Sequence, residues 1–291
     1  MRPHVTTAVL LALALPASSV WAQDDPNAAP HVDPTQHFTI DPVVDGVLIV
    51  GGLGFSELLS QSLSTGEIQP VPPGDPNKLL SIDRAAVTQT IDPNANLYSN
   101  IGLYTAFGYG AAESVYSGVM YGKRAFLVDA VLYGESLAIT QAFTEATKIG
   151  VRRPRPIDYI NCEGSATGSC SNTDLQLSFF SGHASTTGAI AATATYLAFV
   201  RDGAHAVRPW ITLAAGTLLT AFVSYERVRS GEHFPTDVIT GSMAGAAIGI
   251  LVPHFHRRAH YHGDQLETPS IWIGYAPVSR ESGTFTLGGR F

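Results

Sequence analysis

The stretch from Val223 to Gly241 reads Val-Ser-Tyr-Glu-Arg-Val-Arg-Ser-Gly-Glu-His-Phe-Pro-Thr-Asp-Val-Ile-Thr-Gly. It joins an apolar helix that ends near Arg227 to another that begins near Val238. Pro235 and Asp237 fit the first turn of that second helix. Proline needs no N–H partner there, and a carboxylate is favoured by the helix dipole. Asp237 follows His233 by one helical turn. An Asp so placed holds one imidazole nitrogen and leaves the other free as base or nucleophile. Arg227 offers a planar fork to an oxyanion such as phosphate. Arginine, histidine and aspartate at these spacings also occur by chance, so the pattern gains meaning only from the rest of the chain.

Bulk composition narrows the class. Of 291 residues, 45% are hydrophobic and only 14% are charged, against about 25% charged in ordinary soluble domains. Such a chain reads as all-α, a bundle of about six core helices that is apolar all round. The net charge of −7 argues against a nucleic-acid partner. The N-terminus has the form of an export signal. Arg2 precedes the apolar run Ala8–Leu15, and Val20 and Ala22 sit at the −3 and −1 positions of a cleavage site. Residues 1–22 are therefore set aside as a signal peptide and 23–37 as a flexible, proline-rich leader. In an exported chain, Cys162 and Cys170 in their Gly/Ser-rich loop are expected to form a disulfide.

Helical segments follow in order. Phe38–Leu63 is mostly apolar, Thr65–Asn77 is a proline-rich loop, and Asn94–Met120 is weakly helical. Ala125–Thr147 is a strong helix, ended by Pro154 and Pro156. Ala184–Val200, Pro209–Arg227 and Val238–Val252 supply the later helices. Gly241, Gly245 and Gly249 share one face of the last and read as a close-packing row. Ile271–Tyr275 and Thr284–Leu287 read as a short β-hairpin appended to the bundle. The helical domain is thus 38–262 and the tail 263–291. His254, His256, His260 and His262 cluster before the tail, yet no carboxylate pattern accompanies them in sequence, so no metal site is assigned.

Two more stretches complete the chemistry of the first. Lys148 and Arg155 are cations flanking a helix end. Ser181-Gly182-His183 sits at a helix start, where backbone N–H groups and the dipole favour a phosphate. Together, Lys-x6-Arg-Pro, Ser-Gly-His and Arg-x5-His-x3-Asp resemble the signature of the phosphatidic acid phosphatase type 2 / vanadium haloperoxidase superfamily. The likeness covers roughly 125–252. Two positions depart from the usual pattern: Phe180 replaces a proline before Ser-Gly-His, and Glu226 replaces a serine before Arg227.

The resemblance implies a metal-independent hydrolase of phosphate monoesters or diphosphates, lipid phosphates among them, with no cofactor. His233 would attack phosphorus and form a phosphohistidine. Asp237 would orient His233, and His183 would protonate the leaving group. Lys148, Arg155, Ser181, Gly182 and Arg227 would hold the phosphoryl oxygens. The same cations would bind vanadate in the alternative reading, a haloperoxidase; a second alternative is an inactive structural protein of the envelope. The expected partner is a phosphorylated small molecule or lipid, with membrane association open and no protein partner implied. The expected location is the cell envelope, periplasmic or membrane-associated, with the site outside the cytoplasm. Asp45 and Glu57 interrupt the first apolar segment, and Asp129 and Glu135 interrupt the third. Two readings follow, an exported soluble bundle or a membrane bundle whose first segment does not span, and the charges favour a periplasmic or membrane-peripheral bundle.

Overall fold

A computed structural model of the chain describes residues 37–65, 68, 71–161, 177–257, 261–262, 265–266, 270–277 and 283–290. The expected signal peptide and almost all of the leader lie outside these residues, as do Cys162 and Cys170. The helices are α1 (Pro42–Ser64), α2 (Ser81–Thr88), α3 (Ala95–Tyr121), α4 (Lys123–Val151), α5 (Pro156–Asn161), α6 (Gly182–Asp202), α7 (Val207–Arg229) and α8 (Pro235–Phe255). The all-α bundle is as expected, with longer helices. Only Gly122, at φ 93°, separates α3 from α4. The stretch 78–93, which the sequence left unassigned, holds α2.

Helix α6 is the centre of the bundle and packs on α3, α4, α7 and α8. Its closest seam is with α8. A Cβ on Gly245 would stand 1.9 Å from the Ser185 carbonyl oxygen, and one on Gly249 would stand 2.3 Å from that of Ala189. The glycine row is therefore a contact between two backbones, which holds the two helix N-termini together. Leu132, Ile190, Ala194, Leu197 and Val252 fill the adjoining core.

Asp45, Asp129 and Glu135, within the apolar helices, turn inward. Asp45 is 3% exposed, Asp129 1% and Glu135 4%. The opposite faces are apolar: Val43, Val47 and Val50 on α1, Leu218 on α7 and Met243 on α8 are all exposed. Four segments, Pro42–Ser62, Lys123–Ile160, Val207–Arg229 and Pro235–Phe255, are long and apolar enough to cross a membrane. The first apolar segment looked too short because Asp45 and Glu57 were counted as breaks; Asp45 lies on the inner face, whereas Glu57 is exposed toward the end of α1.

In the tail, β1 (Tyr261–His262) pairs with β2 (Gln265–Leu266). Strand β3 (Ser270–Pro277) pairs antiparallel with β4 (Gly283–Arg290), from Ser270 opposite Arg290 to Pro277 opposite Gly283.

Candidate active site

Three chain segments meet where α4 ends and α6 and α8 begin. Helix α4 stops at Arg152, whose left-handed backbone (φ 53°) lets its N–H donate to the Lys148 carbonyl at 2.8 Å. This leaves Lys148 in the last turn and turns Arg153–Arg155 across the site. Ser178 joins this run to the next segment: its N–H donates to the Arg153 carbonyl at 2.8 Å and its hydroxyl to the Pro154 carbonyl at 3.1 Å. Ser181 is the N-cap of α6, with its Oγ accepting from the Ala184 N–H. The Ser181 N–H donates to the Asp237 carbonyl at 3.2 Å and so ties α6 to α8. Between α7 and α8 the chain turns at Gly231, φ 72°. A Cβ there would meet Ile91 Cδ1 at 2.4 Å, so the turn requires glycine on both counts.

His233 is 2% exposed. Its Nδ1 lies 2.7 Å from the Ser178 carbonyl oxygen. A carbonyl only accepts, so Nδ1 carries the proton and Nε2 keeps its lone pair. Asp237, expected as the group that holds this ring, stands 3.8 Å from Nδ1. Its hydrogen bonds go elsewhere: Oδ2 accepts from the Phe234 N–H at 2.8 Å, and Oδ1 from Arg153 Nη1 at 2.6 Å. The backbone carbonyl is thus the near partner of His233, and Asp237 supplies negative charge behind it.

His183, in the first turn of α6, has Nε2 2.7 Å from Asn100 Oδ1 of α3. Burial, then the charges of Arg227, Lys148 and Arg155, lower its pKa to about 3. Burial first, and then Arg227, Arg155 and Lys148, hold His233 well below the ordinary imidazole value; the hydrogen bond to Ser178 opposes them. The same three cations act on both rings, so five sequence-predicted side chains share one pocket.

The cations are incompletely paired. Lys148 Nζ donates to Glu145 at 2.9 Å. Arg155 Nη1 pairs with Glu232 Oε2, and Arg227 Nη2 reaches the same oxygen at 3.3 Å. Arg227 Nη1 donates to Asn96 Oδ1 at 2.6 Å. Among the described residues, the buried Nε atoms of Arg155 and Arg227 have no hydrogen-bond partner. One carboxylate oxygen shared by two guanidiniums, with two N–H groups left over, is a donor set suited to an oxyanion with several oxygens.

Both departures from the family pattern have places. Phe180 is 2% exposed and packs on Phe143, with ring centroids 5.8 Å apart. Glu226 is turned to Arg229, 3.3 Å away, rather than toward the phosphate-binding cations. The acid that does reach them, Glu232, went unremarked in the sequence because a glutamate beside a histidine carries no spacing signal. Asn96 and Asn100 were also missed; two amides four residues apart on an apolar helix would have marked a polar stripe. Arg153 binds Asp83, Thr236 and Asp237 and lies over the Phe234 ring at 3.9 Å. Asp83 accepts from the Thr236 N–H and hydroxyl as well, pinning α2 to the start of α8.

Residues 129–261 match the family model described as the PAP2 superfamily. Among solved structures, the chain is similar to the first transmembrane PAP2 type phosphatidylglycerolphosphate phosphatase from Bacillus subtilis. The two share 16% identity with a TM-score of 0.43, over 72% of this chain and 94% of that one. The matched segment contains every site residue that the three motifs predicted, from Lys148 to Asp237, and over that segment the chain is similar to the PAP2 superfamily.

Proposed function

We propose that the protein is a phosphatase of membrane lipid phosphates that works through a phosphohistidine and needs no metal for catalysis. The observation that carries this reading is the convergence of Lys148, Arg155 and Arg227 on His183 and His233, with the two arginine Nε groups buried and unpartnered. Phosphoryl transfer is mostly positioning and stabilisation of charge on the equatorial oxygens, and three fixed cations supply both.

His233 Nε2 attacks phosphorus as the bond to the ester oxygen breaks. The leaving oxygen takes a proton from His183. His183, now neutral, draws a proton from water; the water oxygen attacks phosphorus, the N–P bond breaks, and orthophosphate leaves. His183 is neutral in the free protein and must be protonated once substrate is bound. A phosphate beside Lys148, Arg155 and Arg227 offsets the charges that hold its pKa down. Asp237, 3.8 Å from Nδ1, favours the positive ring formed in the intermediate.

The apolar outer faces of α1, α7 and α8 support a lipid substrate and a location in the bilayer, and the export signal expected from the sequence favours a site facing away from the cytoplasm. The test is hydrolysis of a chromogenic phosphate monoester and of phosphatidic acid by the purified chain in detergent with EDTA. Turnover of both that survives chelation at 25 °C and is lost in His233→Ala supports the reading. Turnover of the soluble ester alone removes the lipid assignment. Halide oxidation appearing with added vanadate, without hydrolysis, overturns the phosphatase.

A further inference from the structure

Helix α8 starts at the active site, and His256 caps its other end, about 30 Å away by helix rise. There His256 meets Asp45 of α1 and Glu135 of α4. Their ligand atoms all lie within 4.8 Å of one another. We propose that these three side chains form a structural site for a divalent cation of zinc type, separate from the phosphatase pocket and not dependent on that assignment.

The geometry is that of a first coordination shell. His256 Nε2 stands 3.2 Å from Asp45 Oδ1 and 3.4 Å from Glu135 Oε2. Nitrogen and oxygen ligands at about 2.0–2.2 Å from a tetrahedral zinc ion lie about 3.4 Å from each other. His256 Nδ1 is 2.8 Å from the Val252 carbonyl, so Nδ1 carries a proton, and Nε2, in hydrogen-bond contact with Asp45 Oδ1, is the nitrogen left to exchange its own proton for a cation. A backbone acceptor on the far nitrogen is the usual support of a metal-binding imidazole. Asp45 is supported in the same way, by the Asp41 N–H on Oδ2 at 2.8 Å. Glu135 Oε2 is the second observation that points to a ligand. The residue is 96% buried by its 4% exposure, its Oε2 has no hydrogen-bond partner, and it is directed at the other two groups.

Charge points the same way. Asp45 and Glu135 set two carboxylates beside one imidazole among apolar helices, a group of ligands that a divalent cation would balance on entering in place of protons. A single imidazole with two carboxylates suits zinc, with manganese next. Three protein ligands leave room for water or for the second oxygen of a carboxylate. The bound ion would clamp α1 to α4 and α8, reinforcing the bond from the Thr39 N–H to the His256 carbonyl at 2.8 Å.

The test uses the full chain in detergent, stripped with EDTA and titrated with ZnCl2 at pH 7.5. One zinc per chain and a rise in Tm with free zinc are expected. His256→Gln and Glu135→Gln should each weaken binding by at least about a hundredfold. The double variant His260→Ala/His262→Ala should bind as the parent does, because the site is assigned to Asp45, Glu135 and His256 alone. Should a variant fail to fold, zinc-edge X-ray absorption of the parent still decides: one imidazole with oxygen ligands is expected. No saturable binding, binding that survives both Gln variants, or binding lost in the tail double variant overturns the site. Phosphatase turnover at 25 °C should be unchanged by EDTA while Tm falls, which keeps failure of this inference distinct from failure of the phosphatase assignment.

Discussion

Helices α4 and α6 each carry buried charge at both ends, and the two ends are built differently. At the end with Asp129 and Arg201, the buried charges are paired. Arg201 forms a two-pronged pair with Asp129 and also donates to Ser117 at 2.9 Å. Arg208 bridges Glu113 and Asp202. At the other end, about 28 Å along α4 by helix rise, Arg155 and Arg227 share one carboxylate oxygen and each keeps an unpartnered Nε. Both ends use arginines between helices. The paired end fastens helices, with its arginines bound to carboxylates. The under-paired end holds positive charge in reserve, stabilised by the fold around it.

This contrast can be broken by mutation. The largest effect is expected for His233→Ala, with kcat/KM falling at least about ten-thousandfold and Tm little changed. Activity near the parent level would remove the nucleophile. Arg201→Ala should act oppositely. It strands Asp129, 1% exposed, and should cost about 3–5 kcal/mol of stability, read by denaturant unfolding in detergent. Arg155→Ala should weaken orthophosphate inhibition and lower kcat/KM by roughly a hundredfold without comparable loss of stability. If Arg155→Ala destabilises as much as Arg201→Ala, the two ends do not differ as described.

Acid sharpens the same point. His183 and His233 are neutral in the folded protein, whereas an unfolded chain protonates histidine near pH 6.5. Below that pH the unfolded state binds protons that the folded state refuses. Stability should therefore fall with acidity from about 6.5, and for His183 down to about 3, by up to about tenfold in the folding constant per pH unit per imidazole. Orthophosphate offsets the cations, so the Tm of the phosphate-bound protein should fall less between pH 6.5 and 5. Identical slopes with and without phosphate would show that the three cations do not act on the two rings. The smallest effect concerns Glu232, the internal anion on Arg155 and Arg227. Glu232→Gln should tighten orthophosphate inhibition several-fold; weaker inhibition would assign Glu232 to holding the arginines in place.

Much of this could be read from the chain. The bundle followed from low charge and long apolar segments, and the pocket from three motifs whose spacings match one chemistry. The glycine row on α8 announced a close helix contact because four-residue spacing puts small residues on one face. Other features had no local signal. Asp45, Asp129 and Glu135 looked like breaks in apolar segments, and only packing showed them turned inward. Ser178 holds His233 through a carbonyl, a group every residue carries, so no side-chain pattern could single it out.

The sequence by itself determined the helices, the three motifs and the residue types able to bind a phosphoryl group, because these depend on periodicity and short spacing. Tertiary structure alone decided which carboxylates meet which cations. Asp83, Glu232, Asn96 and Asn100 reach the pocket from segments far apart in the chain or through the turn of one loop. Asp45, Glu135 and His256 come together from three helices whose order along the chain says nothing of their contact. Pairing of buried charge is a property of distance in space, and the fold sets that distance.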